Sequence, residues 1–267
     1  MIKIDKSKVK MPASLNSDLT KKRRNELIEA GKYIDEAVYN SRYKGSKVKD
    51  ENQGDVQKAL RNLYNDKCVF CESCIELSAV EHFRPKAIYY WLAYSWDNLL
   101  LICTNCNSHK REYFEKLKQS NLFHKDDLAN IHSLTQKYNQ EEQSQFIHPE
   151  LEDVEEEIDF DFDKNCLMSS ANQRVDYTIS KLKLNERNFL INQRKAIYDN
   201  LMNKGKDRFL KYQIQKAKGE KENSSKTLYT LKGFLEDFKI DSQNEKKTYL
   251  ALRRNLVRNN PLFSILG

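Results

Sequence analysis

Two short cysteine pairs constrain the fold of this 267-residue chain more than any other feature of its sequence. They are Cys68-x-x-Cys71 and Cys103-x-x-Cys106. Each pair is tight enough for both sulfurs to bind one ion, which is how a tetrahedral four-cysteine zinc site is built. In a reducing compartment, cysteines grouped in this way indicate metal binding before disulfides. We therefore predict a structural zinc that holds together the two ends of the intervening segment.

A third cysteine, Cys74, follows Cys71 at the same spacing but has no partner pair of its own. Because zinc needs only four ligands, we expect Cys74 to lie outside the site. A redox function for the segment CVFCESC is a weaker alternative. Such motifs need a thioredoxin-like βαβ context, which is absent here.

The composition favours a helix-rich protein, with 39% hydrophobic and 32% charged residues but only seven glycines and four prolines. The longest apolar run, LLLIC, is too short to span a bilayer, and the first residues contain no apolar segment of signal-peptide length. We therefore expect a cytoplasmic protein. The net charge of +7 is only a weak indication of a polyanionic partner.

Helical periodicity occurs on both sides of the cysteine region. Ser17 is a good N-cap for an amphipathic helix that is predicted to continue to Asn40. A polar loop at 41–55 and a second helix at 56–66 lead into the first cysteine pair. Residues 1–66 are therefore predicted to form an N-terminal helical segment.

The region after the core is predicted to be mostly helical. Alternating apolar and acidic residues at 158–163 predict a half-buried strand. Helices are expected from 175 to 259, with interruptions near Gly219 and Asp241. We predict a mainly α protein with a small α+β core at 67–122 and a helical C-terminal region at 123–267, which is a candidate partner-binding region.

An ordered set of polar residues begins between the cysteine pairs and ends just after the second pair. Glu81 and His82 come first, Asn98 follows in WDNLLLIC, and Asn107 comes directly after the last cysteine. This order resembles the HNH nuclease family. Its ββα-metal core consists of a hairpin with the first His, a loop with the Asn and a helix with the final ligand, and many members brace it with a four-cysteine zinc.

The resemblance implies a role for each residue. His82 would be the general base, and Glu81 would bind the catalytic divalent ion. Asn98 would fix the geometry of the loop, and Asn107 would be the second metal ligand, on the helix. Imidazole suits the deprotonation of water near neutral pH, and a cation neutralises charge on the phosphate. Carboxylate and amide oxygens suit Mg²⁺ or Mn²⁺.

Basic residues near this set are candidate phosphate contacts. A helix is expected to begin near Thr104, which would put Asn107 and Arg111 on one face and allow Arg111 to reach the phosphate. Lys86 and Lys110 are further candidates, although lysines at such positions are just as often simply solvated.

Four segments resemble, in order, the HNH proteins of Septu and certain retron antiphage systems, the PtuB family. They lie between about residues 67 and 194 and read AVEHFRPK, WDNLLLICTNCNSHK, FIHPELED and TISKLKLNERNFLINQR. The resemblance implies a PtuA-type ATPase partner and a DNA or RNA substrate. The alternative is a zinc-stabilised adaptor that binds nucleic acid or protein without the chemistry, and metal-dependent cleavage distinguishes the two.

Overall fold

A computed structural model describes residues 1–47, 53–111, 113–116, 118 and 123–266, apart from the side chain of Ser78. The centre of the predicted loop, 48–52, and the predicted end of the core at Leu122 lie outside these residues. The α-helices are α1 (Asp18–Ala30), α2 (Ala37–Asn40), α3 (Asp55–Tyr64), α4 (Thr104–Lys110), α5 (Thr135–Glu142), α6 (Gln173–Lys181), α7 (Asn188–Ala217), α8 (Lys221–Gln243) and α9 (Leu250–Asn259). The strands are β1 (Ser78–His82), β2 (Leu99–Cys103), β3 (Asp159–Asp161) and β4 (Leu167–Ser169).

Helix α1 begins where the sequence predicts and ends earlier. The hydroxyl of Ser17 accepts a hydrogen bond from the backbone N–H of Thr20, which caps the helix. The helix stops at Ala30 because Gly31 adopts a left-handed conformation, with φ of 62°. The prediction of one helix to Asn40 is therefore wrong.

The chain from α6 to α9 is mostly helical, as predicted for 175–259, and α7 packs against α8. Between 123 and 172, α5 is the only α-helix among the described residues, so this part is less helical than predicted. Helix α7 ends at Ala217 and α8 ends at Gln243, close to the predicted interruptions. A further break separates α6 from α7, where Lys183 has a positive φ of 51°. The strand predicted at 158–163 is confirmed over Asp159–Asp161, where Phe160 is buried and Asp159 is exposed.

Strands β1 and β2 pair antiparallel, and α4 follows β2 without a loop. His82 pairs with Leu99 and Glu81 with Leu100 in this register. The first four residues of β2 are fully buried, so this strand lies in the main hydrophobic core. The polar pair at the end of β1 is thereby fixed on a buried, apolar partner strand.

A buried ion pair holds the chain just after β1. Nε of Arg84 lies 2.9 Å from Oε2 of Glu142, and both side chains are fully buried. The hydroxyl of Tyr89 also donates to Glu142. Arg84 is further surrounded by aromatic rings, with its guanidinium carbon 5.3 Å from the centre of Phe114. This pair connects the segment that follows His82 to the end of α5.

We expect Glu142→Ala to lower the free energy of unfolding by about 3–5 kcal/mol, because it leaves the guanidinium of Arg84 buried without its counter-ion. Urea unfolding monitored by circular dichroism measures the change. Glu141→Ala is the matched control, since Glu141 is exposed and should change stability little. Equal effects of the two substitutions would contradict the importance of the pair.

Candidate active site and cysteine cluster

The four predicted zinc ligands come together in space. The sulfurs of Cys68, Cys71, Cys103 and Cys106 all lie within 4.8 Å of one another. Those of Cys71 and Cys103 are 3.8 Å apart. Sulfurs at the corners of a tetrahedron, each about 2.3 Å from zinc, are separated by about 3.8 Å, so the cluster could bind a zinc ion. Cys74 is exposed and does not belong to the cluster, as predicted.

Hydrogen-bonding groups surround the four cysteine sulfurs. Nη2 of Arg187 lies 3.1 Å from the sulfur of Cys106, and the hydroxyl of Ser73 lies 3.0 Å from that of Cys71. The backbone N–H of Cys106 donates to the sulfur of Cys103 at 3.3 Å. Such contacts stabilise the thiolates that a metal requires and orient them. The arginine comes from the start of α7, so the C-terminal region contributes to this cluster.

His82 is the last residue of β1 and is buried. Its Nε2 lies 2.9 Å from the carbonyl oxygen of Ala93. Because a carbonyl only accepts hydrogen bonds, Nε2 carries the proton and Nδ1 keeps a lone pair. Within the described part of the chain, Nδ1 has no hydrogen-bond partner. Burial lowers the pKa of His82 to about 3, so the ring is neutral at physiological pH.

Glu81 forms an ion pair with Lys110, which the sequence analysis predicted to be a phosphate contact or a solvated side chain. Nζ of Lys110 lies 2.9 Å from Oε1 of Glu81 and 2.8 Å from the carbonyl oxygen of His82. The side chain of Lys110 is fully buried, whereas that of Glu81 is 17% exposed. Lys110 therefore contacts the candidate site itself rather than presenting its charge to a phosphate at the surface.

Asn98 connects the two ends of the loop between β1 and β2. Its Oδ1 accepts a hydrogen bond from the backbone N–H of Arg84 at 2.8 Å, and its Nδ2 donates to the carbonyl of the same residue at 3.1 Å. The carbonyl of Asn98 accepts from the N–H of Phe83 at 2.8 Å. The side chain is fully buried, so these contacts fix the backbone directly after His82.

Asn107 lies half-buried on α4, three residues before Lys110. Residues three apart share a helix face, so Asn107 lies beside the face from which Lys110 reaches Glu81. Arg111 does not lie within α4, as the prediction required. The helix ends at Lys110, and Arg111 is exposed with a φ of 44°, its Nε donating to the carbonyl of Ser108 at 3.0 Å. It therefore does not continue the helix face of Asn107.

The N-terminal segment covers one side of His82, a contact that the sequence did not indicate. The ring of Tyr43 packs edge-on against that of His82, with centroids 4.8 Å apart. Nζ of Lys86 lies 4.0 Å from the ring centre of Tyr33 and 2.8 Å from Oδ1 of Asn40. Lys86 thus contacts this segment as well as lying near the candidate site.

The set of Glu81 and Asn107 suits a hard divalent cation. Both offer oxygen ligands of the kind that Mg²⁺ binds, and Glu81 is partly exposed to solvent. Thiolates prefer softer ions such as zinc, so the cysteine cluster and a site made of Glu81 and Asn107 would select different metals. The donor chemistry of the residues therefore fits the implied ion.

Comparison with known proteins gives two relatives. This chain is similar to two Septu proteins. It is 42% identical over 90 residues to the Septu protein PtuB of Bacillus mycoides (strain KBAB4), a match to 27% of this chain and 30% of that protein. It is 28% identical over 164 residues to the Septu protein PtuA of the same strain, a match to 55% of this chain and 21% of that protein. The resemblance to PtuB is thus confirmed for about a quarter of the chain.

These matches are partial. The chain spans less than a third of the length of either relative. No protein-family model matches it, and no solved structure does. Among the residues described, none of the helices combines the length and the apolar composition that a bilayer crossing requires.

Proposed function

We propose that this chain is a metal-dependent endonuclease of the HNH class that acts in antiphage defence together with a PtuA-type ATPase. The observation that carries the proposal is the environment of His82. The tautomer of the ring is fixed by the carbonyl of Ala93, and the lone pair of Nδ1 is left to accept a proton. A fixed ring orientation and an available nitrogen lone pair are the geometric requirements for a histidine that takes a proton from water.

The neighbouring residues support the same chemistry. Glu81 precedes the histidine, and Asn98 holds the loop directly after it. Strand β1 lies between the two cysteine pairs, and the second pair lies at the junction of β2 and α4, so the cluster is next to the elements that contain these residues. A divalent ion held by Glu81 and Asn107 would neutralise charge on the phosphate and on the leaving oxygen. Nδ1 of His82 would take the proton from the attacking water.

The similarity to the two Septu proteins supports a function of this chain in antiphage defence. Retron-associated systems are a second setting for the same kind of nuclease, which we infer from the sequence resemblance alone. The substrate is nucleic acid, and the proposal leaves DNA and RNA as alternatives that one assay separates.

The test is cleavage of plasmid DNA and of total RNA by zinc-loaded protein, with and without Mg²⁺ or Mn²⁺ and with and without a cognate PtuA-type ATPase. Wild type should cleave one substrate only when the divalent ion is present. Glu81→Gln keeps the shape but removes the charge of a proposed ligand, so it should lower cleavage by more than the roughly 10–100-fold that loss of a ligand's hydrogen-bonding partner costs. Binding of nucleic acid without cleavage under all of these conditions would instead favour the adaptor function.

A further inference from the structure

Lys110 has an unusual environment for a lysine. It is the last residue of α4, and its side chain is fully buried. Lysines are almost never fully buried unless they are paired, because removing an ammonium from water costs several kcal/mol. A side chain placed there at such a cost points to a specific function.

Both contacts of the ammonium group lie at the end of β1. One hydrogen bond goes to Oε1 of Glu81 and the other to the carbonyl oxygen of His82. A single side chain therefore fixes the carboxylate of one residue and the backbone of the next. An ammonium group has three donors and no acceptor, so it suits two oxygen acceptors at once.

The other carboxylate oxygen is left for a ligand. Oε2 of Glu81 makes no hydrogen bond to any residue that the structure describes. Because Oε1 is held by Lys110, the carboxylate cannot rotate freely, and Oε2 keeps one direction. Asn107, one helical turn before Lys110, offers its amide oxygen from the adjacent part of α4.

We propose that Lys110 is a positioning residue that holds Glu81 in the orientation needed to bind the divalent cation. This inference rests on the proposed function, since it concerns the same site. Carboxylates that bind metals are commonly hydrogen-bonded by neighbouring groups, and loss of such a partner typically costs 10–100-fold in metal affinity or activity. A phosphate contact by Lys110 would require the ammonium to leave both of its buried partners.

The experiment measures Mn²⁺ binding directly on zinc-loaded protein, by electron paramagnetic resonance and by calorimetry. We expect Lys110→Met to weaken Mn²⁺ binding about 10–100-fold. Lys110→Arg should lie between Lys110→Met and wild type, because it keeps the charge but changes the geometry. Lys206→Met is the matched control: it removes one positive charge from an exposed position on α7 and should leave Mn²⁺ affinity unchanged.

A second readout separates positioning from simple loss of structure. Zinc content and circular dichroism should be the same in all variants. Cleavage by Lys110→Met should recover when Mn²⁺ is raised to saturation, which an unfolded site would not allow. If Lys110→Met does not fold, the expected intermediate affinity of Lys110→Arg is the deciding measurement.

The outcomes are distinct. Unchanged or tighter Mn²⁺ binding by folded Lys110→Met overturns the positioning role, while metal-dependent cleavage by wild type would still support the proposed nuclease. Absence of any Mn²⁺ binding by wild type, with Glu81→Gln indistinguishable from it, overturns both.

Discussion

Cys106→Ser is expected to lose its zinc and, with it, the folded core. Apparent binding free energies of structural zinc sites reach about 10–16 kcal/mol, as large as the roughly 5–15 kcal/mol that stabilises a whole domain. The cluster joins the segment before β1 to the start of α4, so its loss releases both ends of the candidate site. Metal analysis should show the zinc content fall to near zero. Calorimetry should show that the cooperative unfolding transition is lost.

Cys74→Ser is the matched control for this prediction. Cys74 belongs to the same sequence segment but is exposed and lies outside the cluster. Its substitution should leave the zinc content and the melting temperature unchanged, since surface substitutions typically change stability by less than about 0.5 kcal/mol. The zinc assignment would be contradicted if Cys106→Ser kept its metal, or if both substitutions removed it.

Local rules made the cysteine cluster and several helix ends predictable from sequence. A Cys-x-x-Cys pair brings two sulfurs together through a few residues of backbone, and the four sulfurs do meet. Ser17 caps α1 for an equally local reason. The early end of α1 was also encoded, because Gly31 suits the left-handed conformation, but the apolar residues beyond it continued the helical period.

Contacts between distant parts of the chain were not predictable in the same way. Lysines are mostly solvated, and no residue near Lys110 in the sequence indicates that its ammonium meets Glu81 on another element. The packing of Tyr43 on His82 depends on how the N-terminal segment crosses the core. Such contacts follow from tertiary packing, which the hydrophobic periodicity of the sequence does not predict. The sequence therefore identified candidate residues better than it identified their partners.

His82→Ala is expected to lower the rate of nucleic-acid cleavage about 10²–10⁴-fold, the usual contribution of a general base. The substitution removes the lone pair of Nδ1, and the structure shows no second histidine in contact with the ring among the described residues. It also leaves the buried carbonyl of Ala93 without its donor, at a cost of about 1–3 kcal/mol in stability. Single-turnover assays at saturating Mn²⁺ measure the rate independently of metal affinity.

His109→Ala provides the comparison that gives this loss its meaning. His109 lies half-buried on α4, and its position in the helix separates it from the face of Asn107. Its removal should leave the cleavage rate unchanged, while zinc content and melting temperature show that both variants are folded. A folded His82→Ala that cleaves at the wild-type rate would assign the base to another group. Loss of cleavage in His82→Ala alone, with its zinc retained, is the result that the fixed tautomer of His82 predicts.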